Sequence, residues 1–169
     1  MLNLQDLRAV SQYAAESAQD VLGIFESVHR DDPRPRHAVD AAWIFARGGK
    51  RTKDLRDTGW AAHKAAMSAA TVAASESARS AMSAAAAAYL HPLADAHQVK
   101  HILGAAAHAA RAVELMADDD RTVGANHIQH VRRRATPEVI DILSRYPSAP
   151  SSGGRVGELL ALLDEALRR

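Results

Sequence analysis

Apolar residues recur at three- and four-residue steps along most of this chain, the period of an amphipathic helix. Leu7, Val10, Ala14, Ala18, Val21, Phe25 and Val28 form one such stripe and predict a first helix over about Asn3–Val28. Proline lacks an N–H and disfavours helix in the residue before it, so Arg30-Asp-Asp-Pro-Arg-Pro-Arg36 breaks the pattern. Asp32 is placed to cap a second helix that buries Val39, Ala42, Trp43 and Ala46, and Gly48-Gly49 ends it. Thr52 is the expected N-cap of the next helix, with Asp54 in its first turn. From there to Tyr89 small residues occur all round, so the stretch reads equally as one long helix or as two with a bend near Ser75–Ser77. Gly59, Ala62, Ala66, Ala69 and Ala73 would let neighbouring helices approach closely.

Pro92 is expected to open a helix running to Ala117, since proline is tolerated at the first position. At about 100° per residue, His97, His101 and His108 fall within a stripe roughly 40° wide. Val99, Ile102, Leu103, Ala106, Ala110 and Val113 lie on the other side. A helix of this kind either packs on two sides or presents one to a ligand. After the acidic turn Asp118–Asp120 come a short helix from Thr122 to about Arg134 and another capped by Thr136, with Val139, Ile140 and Leu143 facing in. The last helix, Arg155–Arg168, carries Val156, Leu159, Leu160, Leu163 and Leu167. The expected architecture is all-α, a single-domain bundle of about seven to eight helices. Its expected divisions are a bundle over 1–147, a flexible Ser/Pro/Gly linker over 148–154, and a docked C-terminal amphipathic helix over 155–169.

Composition sharpens this picture. Alanine makes up about a fifth of the chain, far above ordinary usage, so the core is built from small contacts and a few large anchors. The 21 basic and 20 acidic residues nearly cancel, and no global field draws the chain to nucleic acid or to a membrane surface. Arg132-Arg133-Arg134 is the one dense basic run, placed where cations meet the negative end of a helix dipole. There is no cysteine, which removes disulfides and thiolate metal sites. Neither a signal-peptide pattern nor a run of about 20 apolar residues is present, and a cytoplasmic protein is expected.

Two features bear on chemistry. His97 and His101 at i, i+4 have the spacing with which two imidazoles share a metal, and His63, His91, His108 and Asp118–Asp120 are the candidates for a third ligand. The glutamate of a metalloprotease HExxH is absent, because Gln98 stands there. In the Asp32–Arg36 turn, Arg34 or Arg36 could grip a carboxylate or phosphate, or form an internal clasp with Asp31, Asp32 or Asp40. No Gly-rich phosphate loop, nucleophile elbow or cofactor motif occurs, so no catalytic residue, metal ligand or cofactor is assigned.

Three blocks carry a family resemblance: AAESAQDVLGIFE (Ala14–Glu26), DDPRPRHAVDAAW (Asp31–Trp43) and AHQVKHILGAAAHAARAV (Ala96–Val113). Together they resemble the immunity-five-like family of bacterial toxin-immunity proteins, over roughly Leu7 to Tyr146. Asp32, Arg34, Pro35, Arg36 and Ala38 match the second block, and His91, His97, His101, Gly104, Ala105, Ala106 and Val113 the third. Ser17 stands where the pattern has cysteine, Gly23 where it often has proline, Asp95 for threonine, and His108 where tyrosine is common. The resemblance implies an all-helical intracellular protein that neutralises a co-encoded toxin by direct binding. The residues expected to bind are Asp32, Arg34, Arg36, His91, His97 and His101. Two alternatives stand beside it. One is a small-molecule- or metal-binding helical protein, an accessory enzyme whose Arg34 or Arg36 holds an anion beside a histidine base. The other is a homo-oligomeric scaffold that exchanges its last helix.

Overall fold

A computed structural model describes residues 1–169, and it is all-helical. Eight α-helices follow one another: α1 (Leu4–Val28), α2 (Arg34–Ala46), α3 (Lys53–Met67), α4 (Val72–Ala86), α5 (Val99–Met116), α6 (Arg121–Arg134), α7 (Pro137–Ser144) and α8 (Gly154–Arg168). Short 3-10 turns at Ala87–Tyr89 and Ala96–Gln98 frame the α4–α5 connection. They form an all-α, single-domain bundle, and no helix is long and apolar enough to cross a membrane.

Local chemistry explains most boundaries. Asn3 and Asp6 make a reciprocal capping box, each side chain accepting the other's backbone N–H (2.9 and 3.1 Å). The α1 stripe is buried from Val10 to Phe25, while Val28 is exposed at its end. In α2, Val39 and Ala42 are buried as expected; Phe45 is buried as well, and Trp43 is only half-buried. The Thr52–Tyr89 stretch is two helices, but the break lies at Ser68–Thr71 rather than near Ser75–Ser77. Thr71 accepts the N–H of Ala74 and starts α4, and the Ser75 hydroxyl reaches back to the Ala66 carbonyl at 2.8 Å. Pro92 does not open α5. Asp95 accepts the His97 N–H at 2.8 Å, so the chain enters through a 3-10 turn and α-helix begins at Val99.

At the centre is α4, which touches α1, α2, α3 and α5. Its buried positions hold nothing larger than serine: Ala73, Ala74, Ser77, Ala78, Ser80, Ala81, Ser83, Ala84 and Ala85. Two of the serines pin it to its neighbours. Ser77 Oγ donates to Val21 O of α1 and Ser80 Oγ to Ala105 O of α5, both at 2.7 Å. Around this narrow middle sit the large anchors Phe25, Phe45, Ile102, Leu103, Ile128, Ile142 and Leu159. Helix α5 does pack on two sides. Its aliphatic face is buried, and on the α4 side His101 Nδ1 meets Ala86 O at 3.1 Å while His108 Nδ1 meets Glu76 Oε2 at 2.6 Å.

Helix α8 lies on α5 and α6 with Leu159, Leu163 and Leu167 buried. A charged clamp accompanies it. The fully buried Glu114 carboxylate is held by Arg155 of α8 and by Arg111, itself bonded to Asp119. Gly124 leaves the space this carboxylate occupies, because an added Cβ would collide with it unless the Glu114 side chain moved. Asp164, also buried, accepts from Arg168 and from the backbone of Ala149, which holds the segment before α8 in place.

Three outcomes are expected. Ala81→Leu should lower stability by about 3 kcal/mol, since α4 has no room to move away, and a urea midpoint near wild type would refute the narrow-waist description. Glu114→Ala removes the buried carboxylate that Arg111 and Arg155 share and should cost about 3 kcal/mol by the same measurement. The third concerns pH. Burial holds His101 and His127 below the ordinary imidazole value of 6.5. The unfolded chain therefore takes up protons first, and the contribution of these residues is present above pH 6.5 and lost as pH falls through the lowered folded values. Stability should decline from about pH 7 to pH 5, with a shallower slope in His101→Gln. An unchanged slope in that variant would show that His101 titrates alike in both states.

Candidate binding surface

The face of α3 carrying Arg56, Gly59, Trp60 and His63 forms one wall of a groove of about 420 Å³. Met82, Ala85 and Ala86 at the end of α4 form its floor with Leu55, and Tyr89, Lys100 and His101 complete it. The two helices meet at Gly59, where an added Cβ would just touch Ala85 Cβ at 3.4 Å. Trp60 stands at the lip, 61% exposed, with its ring edge-on to His63 at 5.8 Å. His63 Nδ1 is buried and makes no hydrogen bond within the chain. The guanidinium groups of Arg51 and Arg56 both lie over the Tyr89 ring, at 5.4 and 5.1 Å. Arg51 also donates to Ala88 O at 3.0 Å, and the Tyr89 hydroxyl to Thr52 O at 3.3 Å.

Two further depressions adjoin the groove. One, of about 550 Å³, shares Arg56 and Tyr89 with it and adds Arg51, Lys53 and His91. The other, of about 170 Å³, shares Lys100 and adds His97, Pro150, Ser152 and Leu160. The structure thus strings His91, His101 and His97 along one continuous surface. No aspartate or glutamate lines any part of it. Among its cations Lys53 has an ion pair, to Asp57 at 3.0 Å. His91 is held in place from behind, its carbonyl accepting the Tyr146 hydroxyl at 2.7 Å and its N–H donating to Gln98.

The arginine turn lies elsewhere. Asp32 Oδ2 pairs with Arg34 at 2.6 Å, and Arg36 pairs with Glu26 at 2.6 Å rather than with Asp40. The turn is tied to the start of α4: Asp32 N donates to His29 O, and His29 Nε2 accepts the Ala70 N–H. His101 bonds to Ala86 at the other end of that helix. Helix α4, Val72–Ala86, lies between the two attachment points, and at 1.5 Å per residue its ends are roughly 21 Å apart. Arg36 lines its own depression with Trp43, Asp40 and Arg47, and no histidine enters it. Of the basic run, Arg134 is committed to Asp20 at 2.7 Å and Glu16 at 3.4 Å.

Chemically, the groove offers imidazoles, cations and an aromatic lip, with no carboxylate base. No three His, Asp or Glu side chains converge in a way that could hold a metal ion. Arg51, Arg56, Trp60, Tyr89 and Lys100 escaped the sequence reading. One sign of them was available, since Arg56, Trp60 and His63 recur at i, i+4 and i+7 and so share a helix face.

No curated protein and no solved structure matches the chain. A family model does match, over residues 1–136, and it is described as Imm-5 like putative immunity protein. That span includes α1 to α6 and every groove-lining residue. The chain belongs to this immunity-protein family.

Proposed function

We propose that this protein neutralises a cognate toxin in the cytoplasm of the cell that makes it, by binding the toxin directly through the surface carrying His91, His97 and His101. Membership of an immunity-protein family supports the general role. The observation that carries the site is the exposed Trp60 beside a groove whose cations are left without carboxylates. Binding energy concentrates in aromatic and arginine anchors, and Trp60 with Arg56 offers such a pair at the lip of the groove. Asp32, Arg34 and Arg36 take a supporting role in this reading, clasping the α1–α2 turn through ion pairs within the chain.

The test is to co-express the protein with each protein encoded beside it and to score growth and co-purification. A toxin that becomes harmless and co-purifies supports the proposal; neighbours that are all harmless alone, or toxic but neither bound nor neutralised, refute it. Trp60→Ala should leave folding stability within about 0.5 kcal/mol, because the side chain is mostly solvated. The same change should weaken the toxin complex by about 2 kcal/mol in titration calorimetry. Full affinity in that variant would move the contact surface away from the groove.

A further inference from the structure

Resting on the reading that this surface meets a toxin, we propose that the groove recognises an acidic segment of the partner protein in which carboxylates flank an apolar or aromatic residue. The argument starts from charge segregation. The chain has 20 acidic residues against 21 basic ones, yet the groove and both adjoining depressions contain none of the acids. Depressions elsewhere do contain them, Glu16 and Glu138 in one and Asp40 in another. On α3, Asp54 and Asp57 are rotated by about 160° and 100° from Arg56, and the Asp57 carboxylate is taken up by Lys53.

Arg51 and Arg56 sharpen the expectation. Two guanidiniums within 5.4 Å of one ring repel each other across a distance that salt screens only partly. Tyr89 offsets some of that repulsion through its π faces. A carboxylate between them would remove it and could accept two N–H groups from either arginine in a fork. Lys100 stands across the floor, beside His101, as a second point for negative charge. Between these cations the floor is Leu55, Met82 and Ala85, a surface that gains from an apolar side chain and offers nothing to a phosphate backbone. Trp60 at the lip would cover that side chain. The pattern therefore fits acid–apolar–acid in an extended or helical stretch of protein, rather than a nucleic acid.

The test selects short random displayed peptides against the full chain, with Arg56→Glu/Lys100→Glu as the counter-target. Neither residue pairs with a carboxylate, so the double variant should unfold at the wild-type temperature; should it not, Trp60→Ala is the counter-target. Enriched peptides should be net negative around a Leu, Phe or Trp. They should bind at least tenfold more weakly to the variant, and more weakly as salt rises from about 50 to about 500 mM. Arg56→Lys should retain part of the affinity. Neutral or basic enriched peptides, no enrichment, or acidic peptides that bind the variant equally would each overturn the proposal, as would oligothymidine displacing the peptides. The two readings fail separately. Acidic peptides selected while no neighbouring protein is neutralised would remove the immunity role and keep the groove chemistry. A neutralised toxin bound equally well by the double variant would do the reverse.

Discussion

The width of α4 governs everything around it. Four other helices rest on this one, and they can do so because its buried positions stop at a methyl or a hydroxyl. An alanine buries little apolar area, so no single contact contributes much; the gain lies in many dispersion contacts between backbones at close range. The close range is also what lets Ser77 and Ser80 reach carbonyls of α1 and α5. A hydroxyl buried without a partner would be costly, so these bonds select the crossing register as well as adding to stability. Larger side chains are then left to the helices around it, where Phe25, Phe45, Ile128 and Ile142 are fully buried, Phe25 against Ala74 and Ala78 of α4.

The groove follows from the same geometry. Helices α3 and α5 flank the last turns of α4, and because α4 presents only Met82, Ala85 and Ala86 there, the space between its neighbours is not filled. Electrostatics divide along with the packing. Glu114, Asp164, Asp6 and Glu76 are drawn inward or sideways into pairs with Arg155, Arg168, Arg145 and His108. These acids are thus committed within the bundle, while Arg51, Arg56 and Lys100 line the groove side with no carboxylate among them.

Much of this was legible from the pattern of residues, and the failures have physical causes. Stripes with one large apolar residue per turn, as in α1 and α8, identify a buried face without ambiguity. The α3–α4 stretch does not, because alanine satisfies either side of a helix, and only the Thr71 cap distinguishes its break. Pro92 misleads for a related reason: it permits a helix start, whereas Asp95 makes one. The arginine turn drew attention because its charges are dense, yet density is also what lets Asp32 and Glu26 neutralise it locally. Glu114 lay hidden in an acidic stretch that reads as surface. Its burial depends on Arg155, far along the chain, and on the missing Cβ of Gly124. For the groove, each contributing element shows only one polar edge, and the surface exists only when α3, α4 and α5 are set side by side.

The stretch after residue 136 touches the histidine surface at two places, Tyr146 bracing His91 from behind and Pro150, Ser152 and Leu160 standing beside His97. These contacts come from outside the span shared with the family. Arg155 and the buried Leu159 and Leu163 tie α8 to the bundle, so change in this stretch that spares those residues would reshape one rim of the surface without disturbing α4. Substitution at Pro150, Ser152 or Leu160 would then alter what the surface meets while Leu159, Leu163 and Leu167 stay in the core.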